Sequence, residues 1–332
     1  MNSPKFLRGL ACGLALTTLA PLQAAELPKL AGIAALDYRE QARYPEWSRP
    51  VLEAVDPLLA GRAPTRQSLS NAQGQTLSLW NSSISAERGQ SLDLFAQPDA
   101  GNWEVTGTAL SSLGTLAEFA YADDGKGADR IAGDGIHSAR LTLPAAHQPA
   151  LGTADNIMVK VAAENAAGET LRAVTGFVYS RPGAVLTGHY RHGIEKGNLV
   201  IQAQMEVLTQ GRYHLAGTIA DLSGLPLAQA QTAGEYAPGT HWIEMPVYGL
   251  IFHELGALGP LKVSSLTLTS ANGMPNALGP VIENPLNLGI LPLAELTREP
   301  FNDARLLDTA ERLEASLPVA QPVVRRVRGL LF

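Results

Sequence analysis

Four aspartates, Asp123, Asp124, Asp129 and Asp134, stand within one short stretch, YADDGKGADRIAGDGIHS (121–138), among four glycines. Carboxylate oxygens carried on a pliable glycine loop are the ligands that Ca²⁺ takes. The spacing is not that of an EF-hand. Counted from Asp123, Gly125 and Gly127 fill the third and fifth positions, and the twelfth is Asp134 rather than glutamate. The alternative is a tight hairpin loop, in which aspartate side chains accept nearby backbone N–H groups and glycines take positive φ. These four residues are the candidate calcium ligands, and no other cofactor is expected.

The remaining chemistry-bearing residues are scattered. His189 and His192 sit three apart in HYRH, and His241 and His253 come later. Glu254 follows His253, but Ala257 stands where a metalloprotease helix needs its second histidine. No GxSxG elbow and no phosphate-cradling glycine motif occur. The single cysteine is Cys12, so a disulfide framework and a cysteine-based zinc site are excluded. Trp80, Trp103 and Trp242 offer either sugar-stacking faces or core packing.

Before these residues lies an address. Lys5 and Arg8 precede an apolar run, Leu10 to Leu22, and the small residues Ala24 and Ala25 follow it. This is the pattern of a cleaved signal peptide over 1–25, with an apolar stretch too short to span a bilayer. Periplasmic or secreted localisation is expected, with no transmembrane span afterwards. The net charge of −6 would become −8 on loss of Lys5 and Arg8, which argues against a nucleic-acid partner. The tail VVRRVRGLLF (323–332) is basic and apolar but too short to cross a membrane.

The elements that must position these side chains are mostly strands. Over 26–67 the sequence reads as irregular, with one helix capped by Ser48, starting near Pro50 and carrying Val51, Leu52, Val55, Leu58 and Leu59 on one face. Seven short apolar runs then follow within 68–181: 76–80, 91–95, 102–110, 115–121, 139–143, 156–165 and 171–179. Runs at that spacing, separated by turn residues, indicate a β-sandwich. Ser-Arg-Pro-Gly (180–183) reads as a linker. A second β region follows over 182–298. In NLVIQAQMEV, Leu199, Ile201, Ala203, Met205 and Val207 alternate with polar residues, and Tyr213, Leu215 and Ile219 do so in RYHLAGTIAD, with His214 and Thr218 outward. Further strands are expected at HWIEMPVYG, LKVSSLTLT and GPVIEN. Asn102–Gly114 aligns without gaps on Arg212–Gly224, so the two regions read as a duplicated sandwich. A helix capped by Asn302 or Asp303, with Leu306, Ala310, Leu313 and Leu317 on one stripe, closes the chain in 299–332.

Two segments carry a family likeness. DDGKGADRIAGDGIHSARL resembles the aspartate/glycine hairpin of Ig-like modules in exported bacterial proteins, with His137 in place of the usual aromatic. GRYHLAGTIADLSGLPLAQA and PGTHWIEMPVYGLIFHELGALGPLKVSSLTL resemble a second such module. With RYPEWSRPV, TRQSLSN and PFNDARLLDTAERL, the chain resembles, over roughly 40 to 315, the exported proteobacterial family catalogued as domain of unknown function 4785. The resemblance implies tandem immunoglobulin-like folds and supplies no catalytic residues. The resulting expectation is a mainly β protein with tandem immunoglobulin-like β-sandwiches, short helical segments at both ends, and the C-terminal helix packed on the second sandwich. Its expected role is that of a non-catalytic binding or structural protein, with an envelope or extracellular protein or glycan as partner. A secreted hydrolase with a remote triad or metal, and a calcium-stabilised spacer or adhesin, are the alternatives.

Overall fold

The computed structural model describes residues 26–316 apart from 145 and 258, with side chains from residue 30. The expected signal peptide and the basic tail lie outside the described residues. The chain forms two compact units, Tyr44–Pro300 and a smaller one from residues 26–43 and 301–316. The smaller unit pairs α1 (Glu26–Gln41) with a C-terminal helix (Ala304–Ala315). Arg39 and Glu314 join the two helices by a two-pronged ion pair. α1 was not expected as a helix. The C-terminal helix forms as the sequence predicted: Asp303 caps it by accepting from Arg305 N and Leu306 N, and Ala310 is buried. The partner it packs against is α1.

The larger unit is a tandem of β-sandwiches. β1 (Ser48–Pro50) and α2 (Pro57–Ala60) come first. In the first sandwich one sheet runs β2 (Gln67–Ser70), β3 (Thr76–Asn81), β5 (Ser91–Pro98), β8 (His137–Thr142). Its facing sheet runs β4 (Ser85–Glu87), β10 (Thr170–Arg181), β9 (Thr153–Asn165), β6 (Trp103–Ser111), β7 (Gly114–Ala120). One core holds them together, in which Leu79, Leu94, Val105, Ile157 and Val159 are almost wholly enclosed. All seven predicted runs are strands; β2 and β4 are additional.

In the second sandwich a three-stranded sheet runs β11 (Ala184–Glu195), β12 (Asn198–Val207), β15 (Gly239–Val247). It faces β1, β14 (Pro226–Tyr236), β13 (Gly211–Asp221), β16 (Pro260–Ser270), β17 (Ala277–Ile290). The predicted alternation of β12 holds, with Leu199, Ile201, Ala203, Met205 and Val207 buried in this second core. A short helix, α3 (Gly249–Glu254), follows β15; with it in place, the C-terminal helix is α4.

The helix expected near Pro50 is instead the strand β1, antiparallel to β14. Leu52 and Val55, assigned to its apolar face, are exposed. Helix begins only at Pro57, where proline occupies the first turn without forfeiting a bond. Asp56, not Ser48, is the cap. Ser48 instead accepts the Tyr248 N–H at 2.9 Å.

The aligned segments of the two sandwiches occupy matching places. β6 and β13 each pair with the strand that follows in a hairpin. The aligned Gly114, which opens β7, and Gly224, in the turn before β14, both take positive φ. β6 and β13 each also carry, at or near the start, a buried aromatic whose polar tip bonds back along the chain. Trp103 Nε1 donates to Asp99 O at 2.9 Å, and Tyr213 OH donates to Thr209 O, four residues upstream in both cases. This is the logic of a tyrosine corner, in which a buried ring closes its own loop.

The linker is shorter than expected. β10 runs through Arg181 and β11 starts at Ala184, leaving Pro182 and Gly183. Gly183 is tied on every side. Its N–H reaches Ser270 Oγ at 2.8 Å, and its carbonyl accepts from Leu208 N at 2.8 Å and Tyr213 OH at 3.0 Å.

Candidate functional site

The aspartate stretch forms the loop between β7 and β8. Its neck is pinched by Ala122 and Ser138, whose N–H and C=O groups exchange bonds of 2.9 and 2.8 Å. Inside, each aspartate accepts backbone amides. Asp123 takes Gly133 N at 2.6 Å and Gly135 N at 2.9 Å. Both donors lie at positive φ, a conformation that glycine alone adopts at no steric cost. Asp124 takes Lys126 N at 3.0 Å and Asp134 takes Ile136 N at 2.9 Å. Asp129, only 5 % exposed, accepts from Gly125 N and from Ile131 N. The Gly125 amide above all, with the Ile131 amide behind it, holds the Asp129 carboxyl below its usual range against the opposing effect of desolvation.

This is the turn chemistry that the sequence offered as the alternative to metal binding. The same geometry gathers three of the four candidate ligands. One carboxylate oxygen each from Asp123, Asp129 and Asp134 lies within 4.8 Å of the others. Asp124 stands outside that group, 3.5 Å from Lys126 Nζ. Beside the loop runs a groove of about 840 Å³, lined among others by Trp103, Tyr121, Asp123, His137 and Glu164. Tyr121 is buried to 6 % exposure, and among the described residues its hydroxyl has no hydrogen-bond partner. Burial pushes its phenol above the ordinary range.

The scattered candidates stay scattered. His241 bonds the Ala237 carbonyl at 2.8 Å and His253 the Leu296 carbonyl at 3.2 Å, while His189 contacts Thr187 Oγ1 at 3.3 Å. Thr187 also donates to Gln204 Oε1 at 2.8 Å, so its hydroxyl is committed elsewhere. Among the described residues, the aspartate loop holds the one grouping of three potential metal ligands. Of the tryptophans, Trp103 belongs to the core. Trp80 stacks on Phe95 at 5.3 Å beneath Arg66, and Trp242 lies beneath Arg191, 4.2 Å from guanidinium carbon to ring centroid. These two face outward as guanidinium-covered rings.

Two features escaped the sequence reading. The first is Asp56, which gathers five donors. Besides Leu58 N and Leu59 N, its carboxylate accepts from Thr218 Oγ1 at 2.9 Å, Ser264 Oγ at 2.7 Å and Ser265 Oγ at 2.9 Å. Arg62, further along the same arm, reaches Gly279 O and Thr267 Oγ1, both at 3.3 Å. The second is a cleft of about 380 Å³ where the two sandwiches meet. Neither has a motif; the aspartate before a proline was the one local signal for the cap.

No protein-family model and no curated protein matches the sequence. Among solved structures, the chain is similar to a protein of the family catalogued as domain of unknown function 4785 from Legionella pneumophila, with 17 % identity and a TM-score of 0.47. The match covers 64 % of this chain and 57 % of that one, so the chain spans little more than half the neighbour's length. It is also similar to a tetra-tandem repeat from the extending region of a large adhesion protein, with 17 % identity, a TM-score of 0.24, and coverage of 64 % and 55 %. Fibronectin(III)-like modules of Clostridium thermocellum CbhA match at 12 % identity and a TM-score of 0.22, covering 60 % of this chain and 85 % of theirs. The family resemblance read from the sequence thus reappears among the structural neighbours. Among the described residues no helix is long and apolar enough to cross a membrane.

Proposed function

We propose that this is an exported, non-catalytic binding protein, periplasmic or secreted, built on two Ig-like modules at 68–181 and 182–298. The partner is a protein or glycan of the envelope or exterior, held at the aspartate-loop end of the first module. The observation that carries this reading is the groove there, whose carboxylate and imidazole side chains, Asp123, Glu164 and His137, offer polar anchors over a floor made by the buried Trp103 and Tyr121. Calcium at Asp123, Asp129 and Asp134 is the companion proposal, supported by their convergence within 4.8 Å. In that state the ion would stiffen the loop and the protein would act as a calcium-dependent adhesin or spacer.

The test combines melting and binding. With millimolar Ca²⁺ the melting temperature is expected to rise and to fall back with chelator, because an ion bound only by the native state stabilises it by mass action. Asp123→Asn should abolish the rise. No shift in the parent protein would end the calcium proposal and leave the loop as a hydrogen-bonded turn. A glycan array and envelope-protein overlays, run with His137→Ala and Glu164→Gln, then address the groove. A binder that these variants release while melting normally supports the site; one that they retain refutes it.

A further inference from the structure

We propose that the cleft between the two sandwiches binds a free fatty carboxylate, with its alkyl chain in the cleft and its head group at Arg88 and Arg181. The proposal rests on the module junction alone and is independent of the aspartate-loop reading. The cleft, about 380 Å³, falls in the size range of small-molecule sites, which favour domain junctions. Its walls are apolar: Val185, Leu208, Leu268 and Ile282 line it. Val185 and Leu208, 49 % and 48 % exposed, leave two large aliphatic side chains open to water at one site. An alkyl chain would cover both.

Charge selects the head group. Glu87, Arg88 and Arg181 share the lining. Burial raises the Glu87 carboxyl, and the positive charge of Arg62 works against that rise. Among the described residues neither Arg88 nor Arg181 has an ion-pair partner. Arg181 spends one nitrogen on the Pro149 carbonyl at 3.4 Å and keeps its other donors. Two guanidinium groups beside an apolar slot complement a carboxylate, whose two oxygens match the guanidinium fork. A cationic amphiphile meets the wrong charge, and a neutral one leaves the arginines unused. The slot is also preformed. Gly183, between the lining residues Pro182 and Ala184, is bonded to Ser270, Leu208 and Tyr213, so the junction is held in place and little ordering is left to oppose binding.

The test is calorimetric titration of the whole protein near neutral pH with octanoate, decanoate and dodecanoate, each below its micellar concentration. One-to-one binding is expected, tightening about fourfold per added methylene until the slot is full. Decyltrimethylammonium should not bind. Arg88→Gln with Arg181→Gln should weaken decanoate by about tenfold or more and leave decanol unchanged. Val185→Glu, at an exposed position, should abolish carboxylate binding while the circular dichroism spectrum stays native. Failure of dodecanoate to saturate, equal binding of the ammonium compound, or undiminished binding by folded Val185→Glu would each overturn the proposal.

Discussion

Replacing Asp56 by alanine should be among the most damaging single changes outside the two cores. The carboxylate caps α2 and accepts from Thr218, Ser264 and Ser265. Thr218 and Ser265 are wholly buried, so water cannot stand in as acceptor without opening the arm that covers them. Loss of a helix cap costs about 1 kcal/mol. Each buried hydroxyl left without its acceptor costs about 1–3 kcal/mol, and the bonds lost were made to a charged group. Together these give an expected loss of about 3–7 kcal/mol, a large share of the stability of a typical domain. Urea unfolding followed by tryptophan fluorescence reads it, since Trp47, next to β1 on the same arm, packs edge-on against Tyr248 with ring centroids 6.0 Å apart. Asp56→Asn keeps an acceptor for the hydroxyls and should cost less than half as much. In a Thr218→Val, Ser265→Ala background, Asp56→Ala should cost little more than the cap. If Asp56→Ala unfolds within about 0.5 kcal/mol of the parent, the reasoning from orphaned hydroxyls is wrong.

Three further outcomes follow from the same geometry. A Cβ on Gly183 would sit 2.7 Å from Tyr213 Oη, 2.8 Å from Thr209 Cγ2 and 3.0 Å from Gly152 Cα. Gly183→Ala should therefore cost about 1–3 kcal/mol, and part of that should be recovered in a double variant with Tyr213→Phe, read by denaturant midpoint. Burial raises the Glu87 carboxyl above its ordinary value. Its contribution to stability is thus present below the unfolded value near 4.3 and lost as pH rises through the folded one. Glu87→Gln should accordingly stabilise the protein at pH ~7 and lose that advantage by pH ~4; a variant less stable at neutral pH would contradict this. Asp129 is shifted the other way. Its stabilising contribution is present above about 3.9 and is lost as pH falls through its lower folded value, so Asp129→Asn should flatten the acid limb of the stability profile.

Much of this architecture was legible in the sequence because its strands alternate. β12 and the seven runs of the first sandwich put apolar residues at every second place, and a one-residue slip would expose a whole core face. β14 was not legible. PLAQAQTAGEY is rich in alanine, glutamine and glycine, and it is a strand because β13 and β1 pair with it on either side. Thr218 shows the same limit. Its outward assignment was sound for an isolated sheet, yet it is fully buried, because the Asp56 arm lies over that face. The aspartate loop was legible as a loop from its glycines. Which of the four carboxylates converge depends on how Gly133 and Gly135 fold back on Asp123, and spacing does not encode that.

The Asp56 arm also bears on the order in which the molecule is assembled. β1 and α2 precede the first sandwich in the chain, yet they complete the second, with residues 48–50 pairing against 228–230. A chain emerging from its N-terminus therefore releases the closing piece of the later module before any strand of that module exists. The first sandwich, whose strands all lie between, can finish as a self-contained insert. The second must recapture a segment made long before. Loop-closure entropy grows slowly with length, so this connection weighs little on final stability and much on speed. While the arm waits, the face carrying Thr218 and Ser265 stands open, and that interval is when the half-built protein is most exposed to wrong partners.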